Sequence, residues 1–247
     1  MNLHFTRWDL ILLVCVTGMG MIVAYIRDPR WKVLMVALPI PSTLAMLSLH
    51  RPVDATNVLG FVLLLGYTHG VRILFNRLHI PIIPAIVLCA VGYCACASSL
   101  VHVVPITSAA FWWTCLLGII VSVVLAVKSS YRKEPSHRSP MSIWLKLPVM
   151  AGVIFTLIVM KKHLLGFMTM FPMVGVISSY EARHSLWAVC RQVQAFVIAF
   201  VPLLIVSHLL QPALGIERSL IAALIVYGIV LSLVTKWMWK KESDEQT

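Results

Sequence analysis

Hydrophobic residues fall into long runs along the chain, and short polar segments separate these runs. Nine runs are candidates for membrane-spanning helices, at residues 8–26, 33–49, 57–75, 82–104, 107–127, 147–160, 164–179, 185–207 and 218–238. A helix needs about 20 mostly apolar residues to cross a bilayer, so the second, sixth and seventh runs are short. The pattern predicts an all-α, polytopic membrane helix bundle of about nine transmembrane helices, in which the short runs tilt, re-enter or break.

Composition places the chain in the membrane. Of its 247 residues, 60% are hydrophobic and 12% are charged, and the mean hydropathy is +0.92. Soluble domains carry about 25% charged residues. The net charge of +11 does not indicate a nucleic-acid partner, because the 20 Lys and Arg residues are spread over short connections and form no basic face or arm.

Positive charge is distributed unequally between the two sides of the predicted bundle. Most of the Lys and Arg residues lie in connections that share one side. Those expected on the other side are Arg7, Arg51, Lys161, Lys162 and Arg218, whereas Arg191 lies inside a helix. Because positively charged connections stay in the cytoplasm, we expect the amino terminus outside and the carboxyl terminus inside.

A basic linker divides the chain into two membrane parts. Residues 128–146 read KSSYRKEPSHRSPMSIWLK, the composition of an exposed cytoplasmic linker. It separates an N-terminal half of about five helices, 1–127, from a C-terminal half of about four helices and a short cytoplasmic tail, 147–247. If the halves are related, equivalent helices cross in opposite directions, as in the inverted repeats of transporters. The alternative is that the similar positions of proline reflect only its frequency in membrane helices.

Two proline-containing segments interrupt apolar runs. Pro39 and Pro41 precede Ser42 in the second run, and Pro172 follows a phenylalanine in the seventh. Proline removes a backbone donor and frees carbonyl oxygens, which a ligand or a neighbouring group can use. We expect these four residues to shape a site between the two breaks. Nearby hydroxyl groups could equally satisfy the carbonyls, and the prolines would then be structural kinks only.

The eighth run carries polar residues at helical spacing. One face holds His184, Trp187, Arg191 and Gln194. Arg191 lies about 10 Å along the helix from its start, so it is predicted to face the bundle, although snorkelling to the interface is the other interpretation. The opposite face is expected to meet lipid, and it consists of Leu186, Val189, Val193 and Val197.

A second polar stripe ends the third run, at His69, Arg72 and Asn76. With the amino terminus outside, Arg72 and Arg191 both lie toward the cytoplasm. A guanidinium group binds phosphate or carboxylate through paired hydrogen bonds, so the two arginines predict an anion site. The histidines at 69 and 184 join it, and the groups expected to orient the ligand are Ser178, Ser179, Tyr180 and Gln194. Alternatively, the arginines anchor separately to lipid headgroups.

The sequence gives little support for an enzymatic function. Catalysis needs paired acids, a nucleophile with its base, or a metal cluster. His50 and Asp54 lie close together in a turn, but such a spacing is common, and cysteine and methionine in membrane helices are usually packing residues. We therefore predict no catalytic residues, no metal site and no cofactor.

The C-terminal hundred residues resemble a known type of membrane protein. Gly166, the Phe171-Pro172 pair, Ile177, Tyr180 and Arg191 stand in a pattern similar to that of the small GlpM-type inner-membrane proteins of bacteria. In those proteins a glycine, a Phe-Pro pair, a hydrophobic residue and a tyrosine recur at like spacing. The resemblance implies a bacterial cytoplasmic membrane protein connected with envelope or polysaccharide metabolism.

Three functions remain open at this stage. The first is a transporter, exporter or flippase that moves a small or lipid-linked anion, such as a lipid phosphate, across the bilayer. The second is a non-transporting subunit of an envelope or polysaccharide synthesis machinery, which has the linker as its docking segment and an envelope protein or a second copy of the chain as its partner. The third is an intramembrane enzyme that acts on a lipid.

Overall fold

The protein is all-helical. The computed structural model describes residues 5–26, 35–129 and 142–244, of which 86% are helical and none is in a strand. The α-helices are α1 (Arg7–Tyr25), α2 (Ile40–Leu49), α3 (Ala55–Asn76), α4 (Ile82–Leu100), α5 (Ser108–Lys128), α6 (Ile143–Leu164), α7 (Met173–Glu181) and α8 (Leu186–Asp244). A 3₁₀ helix, Leu165–Met170, joins α6 to α7. The predicted all-α class is confirmed.

Six helical stretches in the described ranges are long and apolar enough to cross a membrane. They are Arg7–Tyr25, Ala55–Asn76, Ile82–Leu100, Ser108–Lys128, Trp144–Met170 and Leu186–Met238. The predicted count of about nine is not confirmed. The eighth and ninth predicted runs fall within the last stretch, and the described part of the second run includes the ten-residue helix α2, which is too short to cross.

Helix α8 is a helical hairpin. Gly215 has a φ of 75°, in the left-handed region that favours glycine, and the chain reverses direction there. The residues on either side, which we call the first arm (186–214) and the second arm (216–244), pack against each other. The rings of Phe200 and Tyr227 lie 5.8 Å apart, and Arg191 donates a 3.4 Å hydrogen bond from Nη2 to the carbonyl of Met238.

A buried ion pair defines one end of the bundle, which we call the Asp9 end. Lys161 lies one turn before the end of α6, and its Nζ is 2.7 Å from the carboxylate of Asp9 in the first turn of α1. Ser48, near the end of α2, also donates a hydrogen bond to Asp9. The start of α1 and the ends of α2 and α6 therefore meet at this point.

A second buried ion pair defines the opposite end, which we call the Glu181 end. Lys146, in the first turn of α6, lies 2.8 Å from Glu181 at the end of α7. Both side chains are at most 5% exposed. Lys146 therefore belongs to the membrane bundle, although the sequence placed it in the cytoplasmic linker. Residues 130–141 of that linker lie outside the described residues.

Two short helices start inside the bundle. Helix α2 ends at the Asp9 end and α7 ends at the Glu181 end, and each is about 15 Å long or slightly less at 1.5 Å per residue. Pro39 and Pro172 are their N-cap residues, and Pro41 lies in the first turn of α2. The prolines thus begin helices instead of kinking them, because the first turn needs no N–H donor there. We call 35–49 and 165–181 the two interrupted segments.

Candidate ligand cavity

A cavity lies where the two interrupted segments meet. The cavity has a volume of about 80 Å³, which is room for several water molecules. The lining comes from both interrupted segments, from α3, from the turn 182–185 and from the first arm of α8. These residues are Val36, Ala37, Leu38, Pro41, Ser42, Leu64, Thr68, Met170, Phe171, Pro172, Met173, Val174, Gly175, Ser178, Ser179, Ala182, Ser185, Ala188, Val189, Gln192, Val193 and Phe196.

Both short helices direct their amino termini toward this cavity. The first turn of an α-helix leaves N–H groups without partners inside the helix. In α7 the first acceptor is the carbonyl of Pro172, which receives the N–H of Val176. The described residues provide no acceptor for the N–H groups of Val174 and Gly175, and the same holds for Ser42 in the first turn of α2.

Hydroxyl groups provide the polar side chains of the cavity. Ser178 is 1% exposed, and its Oγ has no hydrogen-bond partner among the described residues. Ser42, Ser179 and Thr68 are also buried. Thr68 donates to carbonyl oxygens of its own helix, at 3.1 Å, so its hydroxyl is already engaged, whereas the Ser178 hydroxyl can bind a ligand.

Access to the cavity differs between the two ends of the bundle. Ser185, Ala188 and Gln192, which lie near the Glu181 end, are only half-buried. Leu64 and Met170, on the other side of the cavity, are buried. Val36, Leu38 and Pro41 in the segment 35–49 are half-buried as well, so the lining is more exposed near the Glu181 end and in this segment than at α3 and the 3₁₀ helix.

The Asp9 end is closed by close packing between α3 and the 3₁₀ helix. The backbone of Gly166 lies so close to α3 that a Cβ atom there would be 2.1 Å from Thr56 Oγ1. Asn57 Nδ2 donates to Thr169 Oγ1 at 3.2 Å, and the hydroxyl of Tyr93 on α4 donates to the carbonyl of Phe167 at 2.7 Å. Backbone and side-chain contacts of the 3₁₀ helix thus seal this side.

Five of the predicted site residues line the cavity, and a sixth adjoins it. The five are Pro41, Ser42, Pro172, Ser178 and Ser179. Pro39 is the N-cap of α2, next to the lining.

The other predicted site residues do not line the cavity. They are His69, Arg72, Tyr180, His184, Arg191 and Gln194. The guanidinium of Arg72 lies 4.4 Å from the ring centroid of Trp187, and Arg191 contacts the second arm at Met238. Their role in binding an anion stays a prediction, separate from the cavity.

The predicted orientation of the eighth helix is wrong. Val189 and Val193, expected to meet lipid, line the cavity, and Leu186 and Val197 are buried. Helical periodicity identifies residues that share a face, but it does not identify what packs against that face.

Sequence reasoning also missed several charged and polar residues. Asp9, Lys146, Lys161 and Glu181 were read as connection or helix-end charges, yet all four are largely buried in ion pairs. The sequence signal for these ion pairs was the presence of acidic and lysine side chains near the ends of otherwise apolar helices. Among the described residues, no group of three or more His, Cys, Asp or Glu side chains could hold a metal ion.

No protein-family model, curated protein or solved structure matches the chain.

Proposed function

We propose that the chain is a membrane transporter or exporter of a small or lipid-linked anion, with the cavity as its substrate site. The observation that supports this most is the position of the cavity between two helices that start inside the bundle. Transporters commonly bind substrates near the middle of the membrane between discontinuous helices, where unpaired backbone groups contact the substrate. A scaffold subunit does not require such a cavity.

The directions of the helices agree with an inverted repeat. Helix α1 begins at the Asp9 end, and α6 ends there. Helices α2 and α7 likewise point to opposite ends. Each arm of α8 counts as one crossing in this proposal, and each interrupted segment as another, so the chain makes nine passes. Helix α5 then has no counterpart in the C-terminal half.

Orientation follows from the charge distribution. The Glu181 end is the cytoplasmic end in this proposal, because the basic linker connects α5 to α6 on that side. In this proposal the cavity opens at that end, toward the cytoplasm of a bacterial cell, and an exported anion loads from there. Movement of the two halves against each other would open the Asp9 end and close the Glu181 end.

Cysteine accessibility tests this proposal. In a chain whose six native cysteines are replaced, we expect Ser178→Cys to react with a membrane-impermeant thiol reagent from both sides. The rate from the Asp9 side should be about 0.1–10% of the rate from the Glu181 side, the usual population of a minor conformation. Ser122→Cys is the matched control, because Ser122 is buried in α5 outside the cavity, and it should react from neither side. Reaction of position 178 from one side only would contradict transport.

Substitution of Arg191 tests whether the substrate site is the cavity or the arginine site predicted from the sequence. We expect Arg191→Lys to keep activity, because a lysine can also donate to the carbonyl of Met238 and the cavity lining is unchanged. The measurement is growth or export in cells, with the amount of protein in the membrane checked by blotting. Loss of activity in both Arg191→Lys and Arg191→Ala at normal abundance would favour the arginine site.

A further inference from the structure

Helix ends make the cavity electropositive. The amino terminus of a helix carries the equivalent of about half a positive elementary charge. Two such termini, of α2 and α7, meet at the cavity. Together they are equivalent to about one positive elementary charge. They also present the N–H groups of Ser42, Val174 and Gly175.

Ser178 gives a second indication of a ligand, because it lines the cavity, unlike Ser122 and Ser207, whose buried hydroxyls also lack a partner among the described residues. A buried hydroxyl without a partner is unfavourable, and native structures retain such groups mainly where a ligand or water completes them. Ser178 lies one helical turn beyond Val174 and Gly175. Its hydroxyl and their N–H groups can therefore donate to oxygens of the same bound group.

The remaining lining restricts the charge and the body of that ligand. Among the described lining residues there is no Lys, Arg, His, Asp or Glu side chain. Neutral donors and helix dipoles equivalent to about one positive charge can balance one negative charge, but a second charge would have no charged partner among the described lining residues. Leu64, Met170, Phe171 and Phe196 offer apolar contacts.

We propose that the cavity binds the head of a singly charged amphipathic oxyanion, a carboxylate or a phosphodiester on a hydrocarbon body. The N–H groups of Ser42, Val174 and Gly175 and the hydroxyl of Ser178 hold the charged oxygens. The apolar lining holds the first part of the body. This inference rests on the transporter proposal, since it names the substrate class of the same cavity.

Binding of short amphiphiles tests the inference. The full chain is reconstituted in phosphatidylcholine nanodiscs, and binding of radiolabelled octanoate is measured at about pH 8, where a phosphate monoester is close to doubly charged. We expect unlabelled octanoate or dibutyl phosphate to compete with the radiolabelled octanoate. The competitor with the higher affinity identifies the natural head group as a carboxylate or a phosphodiester. Octanol, octylammonium and octyl phosphate should compete at least about tenfold less well, the effect of one charge-assisted hydrogen bond.

Variants connect that binding to the cavity. Ser178→Ala should weaken octanoate binding by about ten- to a hundredfold, as expected for loss of a hydrogen bond to a charged group. Ser178→Cys keeps the size of the side chain with a poor donor and should weaken binding in the same direction. Ser122→Ala, outside the cavity, should leave binding unchanged.

Several results would overturn the inference. They are equal competition by octanol, tighter binding of octyl phosphate than of octanoate, and an unchanged affinity in both Ser178 variants. If position 178 still reacts from both sides of the membrane, the transporter proposal survives this failure. Conversely, charge-selective binding with one-sided reactivity would keep the anion site and contradict transport.

Discussion

Lys161→Met is expected to lower the free energy of unfolding by about 3–5 kcal/mol, the usual effect of breaking a buried ion pair. The lysine ammonium lies 2.7 Å from Asp9, whose side chain is fully buried. Without Lys161 the carboxylate keeps, among the described residues, the hydrogen bonds from Ser48 and Thr6, and none of these carries a compensating charge. The measurement is denaturation of the purified protein in detergent, followed by circular dichroism.

Two further variants make this test specific. Lys162→Met changes the neighbouring residue, which is exposed, and should alter stability by no more than about 0.5 kcal/mol. The double variant Asp9→Asn/Lys161→Met removes both charges and should recover most of the loss, because asparagine can still accept from Thr6. Equal instability of Lys161→Met and Lys162→Met would contradict a structural role for the pair.

Gly166→Ala is expected to destabilise the protein by about 1–3 kcal/mol, the range for overpacking a well-packed core. A Cβ atom at this position would lie 2.1 Å from Thr56 Oγ1 and 2.7 Å from the backbone nitrogen of Asn57. Because one of these atoms is backbone, rotation of a side chain cannot relieve the clash. Detergent denaturation measures the loss, and Gly18→Ala is the control, since a Cβ there meets nothing within 4 Å.

The same substitution should affect access to the cavity. The alanine pushes the 3₁₀ helix away from α3, and this contact closes the Asp9 end. We therefore expect Gly166→Ala to raise the reactivity of Ser178→Cys from that side. A variant with wild-type stability and unchanged reactivity would show that this contact neither limits packing nor closes the cavity.

The positions of proline were the most informative part of the sequence. Pro39, Pro41 and Pro172 predicted breaks in two apolar runs, and the structure places a cavity between those breaks. Local chemistry is enough for this step, because proline restricts its own backbone wherever it stands. The same chemistry also favours the start of a helix, and only the structure distinguished a kinked helix from one that begins at the proline.

The arginines gave less reliable information. Arg72 and Arg191 each lie on a polar stripe of their own helix, α3 and the first arm of α8. The cavity lies on a different face of the first arm, beside Val189 and Val193. A charged residue in a membrane helix indicates that something compensates it. Here Arg191 contacts a carbonyl of the second arm, and Arg72 contacts an aromatic ring. Periodicity cannot select among such partners.

The sequence by itself determined the all-helical class, the membrane environment and the two proline breaks, because hydropathy and backbone restriction act over a few residues at a time. Only the tertiary structure decided which helix faces enclose the cavity, that the turn between the two predicted last spans falls at Gly215, and that Lys146 and Lys161 pair with distant acids. These features depend on contacts between residues far apart in the chain, such as Asp9 with Lys161. Such contacts are set by how the helices pack, so local composition can mark a charged residue in an apolar helix but cannot identify its partner.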